Sequence, residues 1–301
     1  MYRLINMKLV HIIINPIINN YQLASLTLLL VAFFWGVTFT IIKSALNSID
    51  PFYFIGFRFL VASILFALMI RNWKAIFNKR LFKDSLILGI LSLICYVSQT
   101  IGLEYTKATN SAFITSFYVL FVPFMSYFLY KERIRILAVS ASVLAFGGLT
   151  LLMSGDLSQM NIGDIITFLS ALTYAGHIAY TGKVTHRHST LGLSFYQIIF
   201  VSLVSFTCVP LGSGKLLINR EVIFVILFTA IFCTTFAYFM QTKLQRIIKP
   251  TTTAVIFATE PLFATLAAAF INNEILLIHQ YIGCLLIVIA TIIAQLKIKN
   301  L

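Results

Sequence analysis

The sequence predicts an all-α integral membrane protein: ten transmembrane helices in an inverted 5+5 repeat, with both termini cytoplasmic. Three observations carry this prediction: the composition, a series of ten apolar segments, and a register in which the chain resembles itself. Of 301 residues, 60% are hydrophobic and only 10% are charged. The mean hydropathy is +0.96. Soluble domains carry about 25% charged residues. A folded chain of this mass exposes too much surface to hide so many apolar side chains from water. A soluble enzyme, a secreted disulfide scaffold and a disordered chain are therefore excluded, and the bilayer is the solvent.

Residues 1–22 read as an N-terminal cytoplasmic or interfacial segment. Its apolar run from Leu9 to Ile18 is interrupted by His11, Asn15 and Pro16. That run is too short to span, and no small-residue cleavage site follows it. Met7 offers an alternative start. Ten apolar segments follow, at 23–42, 51–70, 85–104, 108–130, 136–153, 164–182, 191–212, 221–242, 250–271 and 278–296. Barrel strands would alternate in apolarity, and runs such as Leu137–Met153 do not. A helix satisfies its own backbone groups in lipid, so each segment is expected to be one helix. The first five-helix half covers 23–153 and the second 164–296, and 297–301 is a cytoplasmic tail.

Charge sets the orientation. The net charge is +13, which in a soluble protein would point to nucleic acid. Here Lys and Arg sort by loop. With the N-terminus inside, the inner side holds seventeen of them, with clusters at Arg71–Lys83, Lys131–Arg135 and Lys243–Lys249. The outer side holds four: Lys43, Lys107, Lys215 and Arg220. Basic residues favour cytoplasmic loops, so the split supports both termini inside and an even helix count. Cys95, Cys208, Cys233 and Cys284 lie in apolar stretches without zinc spacing. They read as small core hydrophobes, and no metal site is expected.

A shift of 142 residues brings the chain onto itself without a gap. Tyr96-x-x-Gln99 falls on Tyr238-x-x-Gln241, and Lys107, Thr109 and Ala112 fall on Lys249, Thr251 and Ala254. Ala32-x-x-Trp35 resembles Ala171-x-x-Tyr174 at a slightly shorter offset. Five helices per half is an odd number, so the halves must run in opposite orientations. Inverted repeats are an architecture of secondary transporters, with a substrate site near the midplane between the halves.

The chain also resembles a known family, the EamA type of the drug/metabolite transporter superfamily, over about residues 23–296. The marks are Trp35-Gly36 with Phe39, Arg58-Phe59, and Gly102-Leu103-x-Tyr105-Thr106-x-Ala108. Ser111–Ser116 with Pro123 follows, then Lys131-Glu132-Arg133, Thr259–Ala264, Asn273-Glu274 and Gln280-x-x-Gly283. Asn273 departs from the family's usual Gly, in a loop. The resemblance implies a central cavity lined largely by helices 1, 3, 4, 6, 8 and 9. It also implies export or import of small metabolites, often amino acids.

Polar groups in lipid are the site candidates. Arg58 lies about eight residues into helix 2, where an arginine needs a partner or water. It reads as an anion contact, a structural ion pair or a snorkelling side chain. Glu260 is read as mid-helix 9, directly before Pro261. A carboxyl group there can couple protons, bind a substrate ammonium or pair with a neighbour. Pro261 donates no backbone bond and frees a carbonyl one turn earlier. Trp35, Tyr96, Tyr118, Tyr174 and Tyr238 lie on helices that the resemblance places around the cavity. Aromatic walls there hold apolar groups or a cation, although packing is an equal reading for any one Tyr. Gln99 and Gln241, one turn from Tyr96 and Tyr238, bind substrate or bond between helices. His177 is a titrating group or a satisfied interhelical histidine. His186-Arg187-His188 reads as a solvated loop, and Glu132 and Glu274 as caps or pairs at helix junctions.

The function expected is a secondary transporter for a small organic metabolite, an amino acid or a cation, in a bacterial inner membrane. The expected partners are that metabolite and the lipid bilayer. Protons are the candidate coupling ion and a homodimer the candidate assembly. No cofactor and no nucleic acid partner are expected. A channel or a receptor-like scaffold is the alternative. A membrane enzyme is less supported, since no HExxH, no GxSxG and no acidic cluster occurs. Gly212-Ser213-Gly214-Lys215 is not a phosphate-binding loop, because Leu216 stands where Ser or Thr is required.

Overall fold

The computed structural model describes residues 16–17, 20–131, 136–153, 161–272 and 277–296. Among the described residues the chain is helical, with one isolated bridge between Ile49 and Leu216. Eight helices are long and apolar enough to cross a membrane. The shorter apolar helix Ile136–Leu152 is a ninth apolar rod.

The helices are α1 (Tyr21–Leu46), α2 (Pro51–Met69), α3 (Lys79–Tyr105), α4 (Ala108–Thr115), α5 (Tyr118–Tyr130) and α6 (Ile136–Met153). They continue with α7 (Ile162–Val184), α8 (Thr190–Cys208), α9 (Arg220–Phe228) and α10 (Ala237–Leu244). The last three are α11 (Pro250–Phe257), α12 (Glu260–Asn272) and α13 (Ile278–Gln295). Many starts carry a side-chain cap, which satisfies orphan amides at a helix end. Asn20, Asn78, Asn161, Ser189 and Asn219 accept from amides of the first turn. Asp50 caps α2, where Pro51 takes the first position.

Three expected single helices are interrupted. Segment 108–130 breaks at Ser116–Phe117 into α4 and α5, and segment 250–271 breaks at Ala258–Thr259 into α11 and α12. Segment 221–242 passes through a π-helical stretch, Thr229–Phe236, between α9 and α10. The hydroxyls of Thr234 and Thr235 each bond a carbonyl five residues back, at 3.0 and 2.8 Å, which suits the wider turn.

The element bounds repeat with the sequence register. Moved on by 142 residues, α4, α5 and α6 fall on the printed bounds of α11, α12 and α13. Moved on by 139, α2 falls on α8. The most extensively packed helix pairs are α3 with α7, α6 with α13, α2 with α8, α3 with α8, α5 with α7 and α1 with α12. Each of these pairs joins an early helix to a late one.

Polarity is arranged as a bilayer demands. Leu68, Phe128, Ile136 and Ile278 face outward, while Arg58, His177, Gln197, Gln241 and Glu260 are buried between helices. Small residues let helix backbones touch. A Cβ on Gly148 of α6 would lie 2.8 Å from the Gly283 carbonyl of α13, and one on Gly283 would lie 2.6 Å from the Gly148 carbonyl. The N-terminal segment 1–15, Glu132, Glu274 and the tail 297–301 lie outside the described residues.

Candidate functional site

A partly enclosed cavity lies between α1, α2, α3, α4, α7 and α12, with about 560 Å³ of unfilled space, open solvent included. Six predicted residues line it: Trp35, Arg58, Tyr96, Gln99, Tyr174 and Glu260. The first four come from the first half of the chain and the last two from the second.

Each is held from behind. The Trp35 indole Nε1 donates to the Cys233 carbonyl at 2.8 Å, and its ring meets Tyr174 and Phe257 edge-on. Arg58 Nε donates to Thr234 Oγ1 at 2.7 Å, and a terminal nitrogen reaches the Cys233 carbonyl at 3.3 Å. Its guanidinium carbon lies 4.9 Å from the centre of the Tyr96 ring, a favourable placement of a cation over an aromatic face. Arg58 makes no ion pair among the described residues; hydrogen bonds and rings compensate it instead. Gln99 Nε2 donates to Thr115 Oγ1 at 3.2 Å, and Thr115 lies 3.2 Å from Ser170 Oγ.

Glu260 is 4% exposed, and its carboxyl group has no hydrogen bond or ion pair among the described residues. An isolated buried charge is costly, so this group needs a proton, water or a ligand in the cavity. Its position corrects the mid-helix reading. Glu260 is the first residue of α12, just past the break at Ala258–Thr259. Pro261 therefore sits in a first turn, where its missing N–H costs little, rather than inside a continuous helix. Gly36 admits this arrangement: a Cβ there would come within 2.4 Å of the Glu260 carbonyl.

The other predicted residues do not line the cavity; they back it. Tyr118 is fully buried and meets Tyr174 edge-on at 5.1 Å. His177 stacks on Tyr174 and its Nε2 lies 2.9 Å from Gln197 Oε1. Tyr238 lies 6.4 Å from Tyr96 between ring centres, but its hydroxyl donates to Ser92 at 3.1 Å. Gln241 donates to Gln245 at 3.5 Å. The wall thus takes Arg58 from the second segment and nothing from the eighth.

Several lining residues were not among the expected site residues: Thr38, Phe39, Ile42, Cys95, Thr100 and Leu103. Their signal was helical spacing. Thr38, Phe39 and Ile42 lie three, four and seven residues after Trp35, on one face of α1. Thr100 and Leu103 continue the Tyr96 and Gln99 face of α3 in the same way.

One end of the bundle is tied by a polar cluster. The Tyr180 hydroxyl donates to Asp84 Oδ1 at 2.7 Å, and His188 Nε2 lies 2.7 Å from Asp84 Oδ2. Arg246 donates to the His188 carbonyl at 2.8 Å, and Thr185 donates to the Thr242 carbonyl. This corrects the reading of His188 as solvated: Asp84, 104 residues earlier, holds it. The Gly212–Lys215 loop has its own carboxylate. The Ser213 and Gly214 amides and the Ser213 hydroxyl donate to Asp50 Oδ2. Gly214 has φ +66°, which favours glycine.

The EamA-like transporter family matches the chain twice, at residues 22–154 and 161–295. A protein of Archaeoglobus fulgidus called an uncharacterized transporter is 38% identical over 91% of this chain and 86% of its own. An S-adenosylmethionine uptake transporter of Rickettsia prowazekii is 24% identical over 72% of this chain and 74% of its own. A solved crystal structure shares the fold with a TM-score of 0.74 at 16% identity, over 90% of this chain and 96% of its own. With eight membrane-length apolar helices among the described residues, this is a multi-pass integral membrane protein, and the chain belongs to the EamA-like transporter family.

Proposed function

We propose that the chain is a secondary transporter that moves a small organic metabolite by alternating access around the central cavity. It is built as two inverted five-helix halves, 23–153 and 164–296, with both termini in the cytoplasm of a bacterial cell and the chain in the inner membrane. The observation that carries the reading is one cavity, walled by both halves, with a buried carboxyl group and a buried guanidinium that make no ion pair among the described residues. Arg58 is already held by hydrogen bonds and a ring, so the Glu260 carboxyl group is the one that a solute or a proton would satisfy, as a midplane carrier site requires.

Further support comes from the repeated element bounds and from helix pairs that join the halves. Trp35, Tyr96 and Tyr174 form the aromatic wall, Arg58 suits an anionic group, and Glu260 a cationic group or proton. Amino acids carry both charges. A relative is called an S-adenosylmethionine uptake transporter, and that compound joins an amino-acid end to a cationic sulfonium centre.

The test is counterflow into proteoliposomes loaded with pooled amino acids, nucleosides and S-adenosylmethionine, with labelled tracers outside. Saturable exchange of one class is expected. Flux without saturation or counterflow, together with conductance, would replace the carrier with a channel.

A further inference from the structure

A second cavity lies away from the central one, between the C-terminal end of α2, the N-terminal end of α8, and α10. It holds about 920 Å³ of unfilled space, open solvent included. Arg71, Lys243 and Arg246 line it, and no carboxylate does among the described residues. Three cations in a groove that partly excludes water create a positive potential for an anion.

Two polar groups of the groove are unsatisfied. Arg246 uses one terminal nitrogen on the His188 carbonyl, and its Nε has no partner among the described residues. Thr190, also in the lining, is 6% exposed and its Oγ1 has no partner among the described residues. Burial lowers the Arg246 guanidinium from its usual value, and an adjoining anion would offset that cost.

The remaining lining is apolar. Met69, Leu191 and Phe239 flank the cations, and Trp73 stands exposed on the turn just past α2. Tryptophan is enriched where helices meet the lipid headgroups. A free phosphate would use the cations and leave the apolar wall bare, whereas a phospholipid uses both. Basic pockets between membrane helices on the cytoplasmic side suit anionic headgroups.

We propose that this groove binds an anionic glycerophospholipid. The phosphodiester lies against Lys243 and Arg246, and an acyl chain runs along Met69 and Phe239. The inference is independent of what the central cavity carries.

The test uses the full chain in nanodiscs of phosphatidylcholine with a minority of phosphatidylglycerol and a trace of photoactivatable phosphatidylglycerol. Cross-links are expected within residues 69–76, 189–191 and 239–246. Lys243→Gln and Arg71→Gln should each lower the yield about fivefold, the weight of one basic residue near a membrane. Lys79→Gln, near the same end but outside the groove, should leave it unchanged. Thermal midpoints in pure phosphatidylcholine check folding. If Lys243→Gln unfolds, the exposed Arg71→Gln carries the comparison. Equal yields from parent and variants would overturn the proposal, as would an equal loss from Lys79→Gln, which marks general surface charge. Competition by inorganic phosphate would overturn it too, in favour of a free-anion site.

Discussion

Trp35 and Arg58 donate to one atom, the carbonyl oxygen of Cys233, at 2.8 and 3.3 Å. The two side chains come from α1 and α2, and Cys233 lies in the π-helical stretch between α9 and α10. Arg58 also takes the Thr234 hydroxyl on the same stretch. The π stretch therefore fixes an aromatic and a cationic wall of the cavity at once, and joins the first half of the chain to the second.

Replacing Arg58 by Lys keeps the charge but loses the fork that spans Thr234 and Cys233. Lysine offers a point charge in place of a planar set of donors. Arg58→Lys is expected to lower stability by about 1–3 kcal/mol, the cost of unmade buried hydrogen bonds. Thermal unfolding in nanodiscs measures it, and an unchanged midpoint would show that the shared acceptor is not structural.

Glu260→Gln separates binding from coupling. If the carboxyl group carries the coupling proton, the variant keeps counterflow and loses its response to a pH gradient. The readout is tracer exchange with and without the gradient. An unchanged pH response would sink the coupling role. Loss of both activities would assign Glu260 to binding or folding.

The α6–α13 contact depends on the absence of side chains. Gly148→Val places carbon within 2.8 Å of the Gly283 carbonyl, so the helices must part. A loss of about 1–3 kcal/mol is expected, as for overpacked cores. Gly147→Ala is the matched control, because a Cβ there meets nothing within 4 Å. Equal midpoints for the two variants would refute the close-contact account.

Asp84 joins α3 to α7 and to the loop after it. Asp84→Ala leaves Tyr180 and His188 without their acceptor, at a cost of about 1–3 kcal/mol. Amide exchange over residues 180–189 should quicken while α1 stays protected. Uniform exchange across the chain would mean that the cluster does not act locally.

Much of the wall was legible in the sequence, because a charged or amphipathic side chain inside an apolar segment has few places to go. Arg58 and Glu260 stood out on that ground, and Trp35, Tyr96 and Tyr174 through the resemblance between halves. Tyr238 and Gln241 were expected in the wall because they repeat Tyr96 and Gln99. The sequence register has no gap there, but the helical geometry differs. A π turn holds more residues than an α turn, so the face of α10 is rotated relative to that of α3. His188 was misjudged because its partner, Asp84, lies on another helix 104 residues away.

By itself the sequence determined the solvent, the apolar rods and the 142-residue register, because each follows from local composition and spacing. Helix lengths are set by the bilayer and the caps, both of which are written in short stretches of chain. The tertiary structure alone decided where the rods break, which face of each meets the cavity, and which polar groups find partners. Those outcomes depend on contacts between residues far apart in sequence. A carboxyl group buried at Glu260 beside the cavity and a carbonyl shared at Cys233 are properties of the packed bundle and of no single segment.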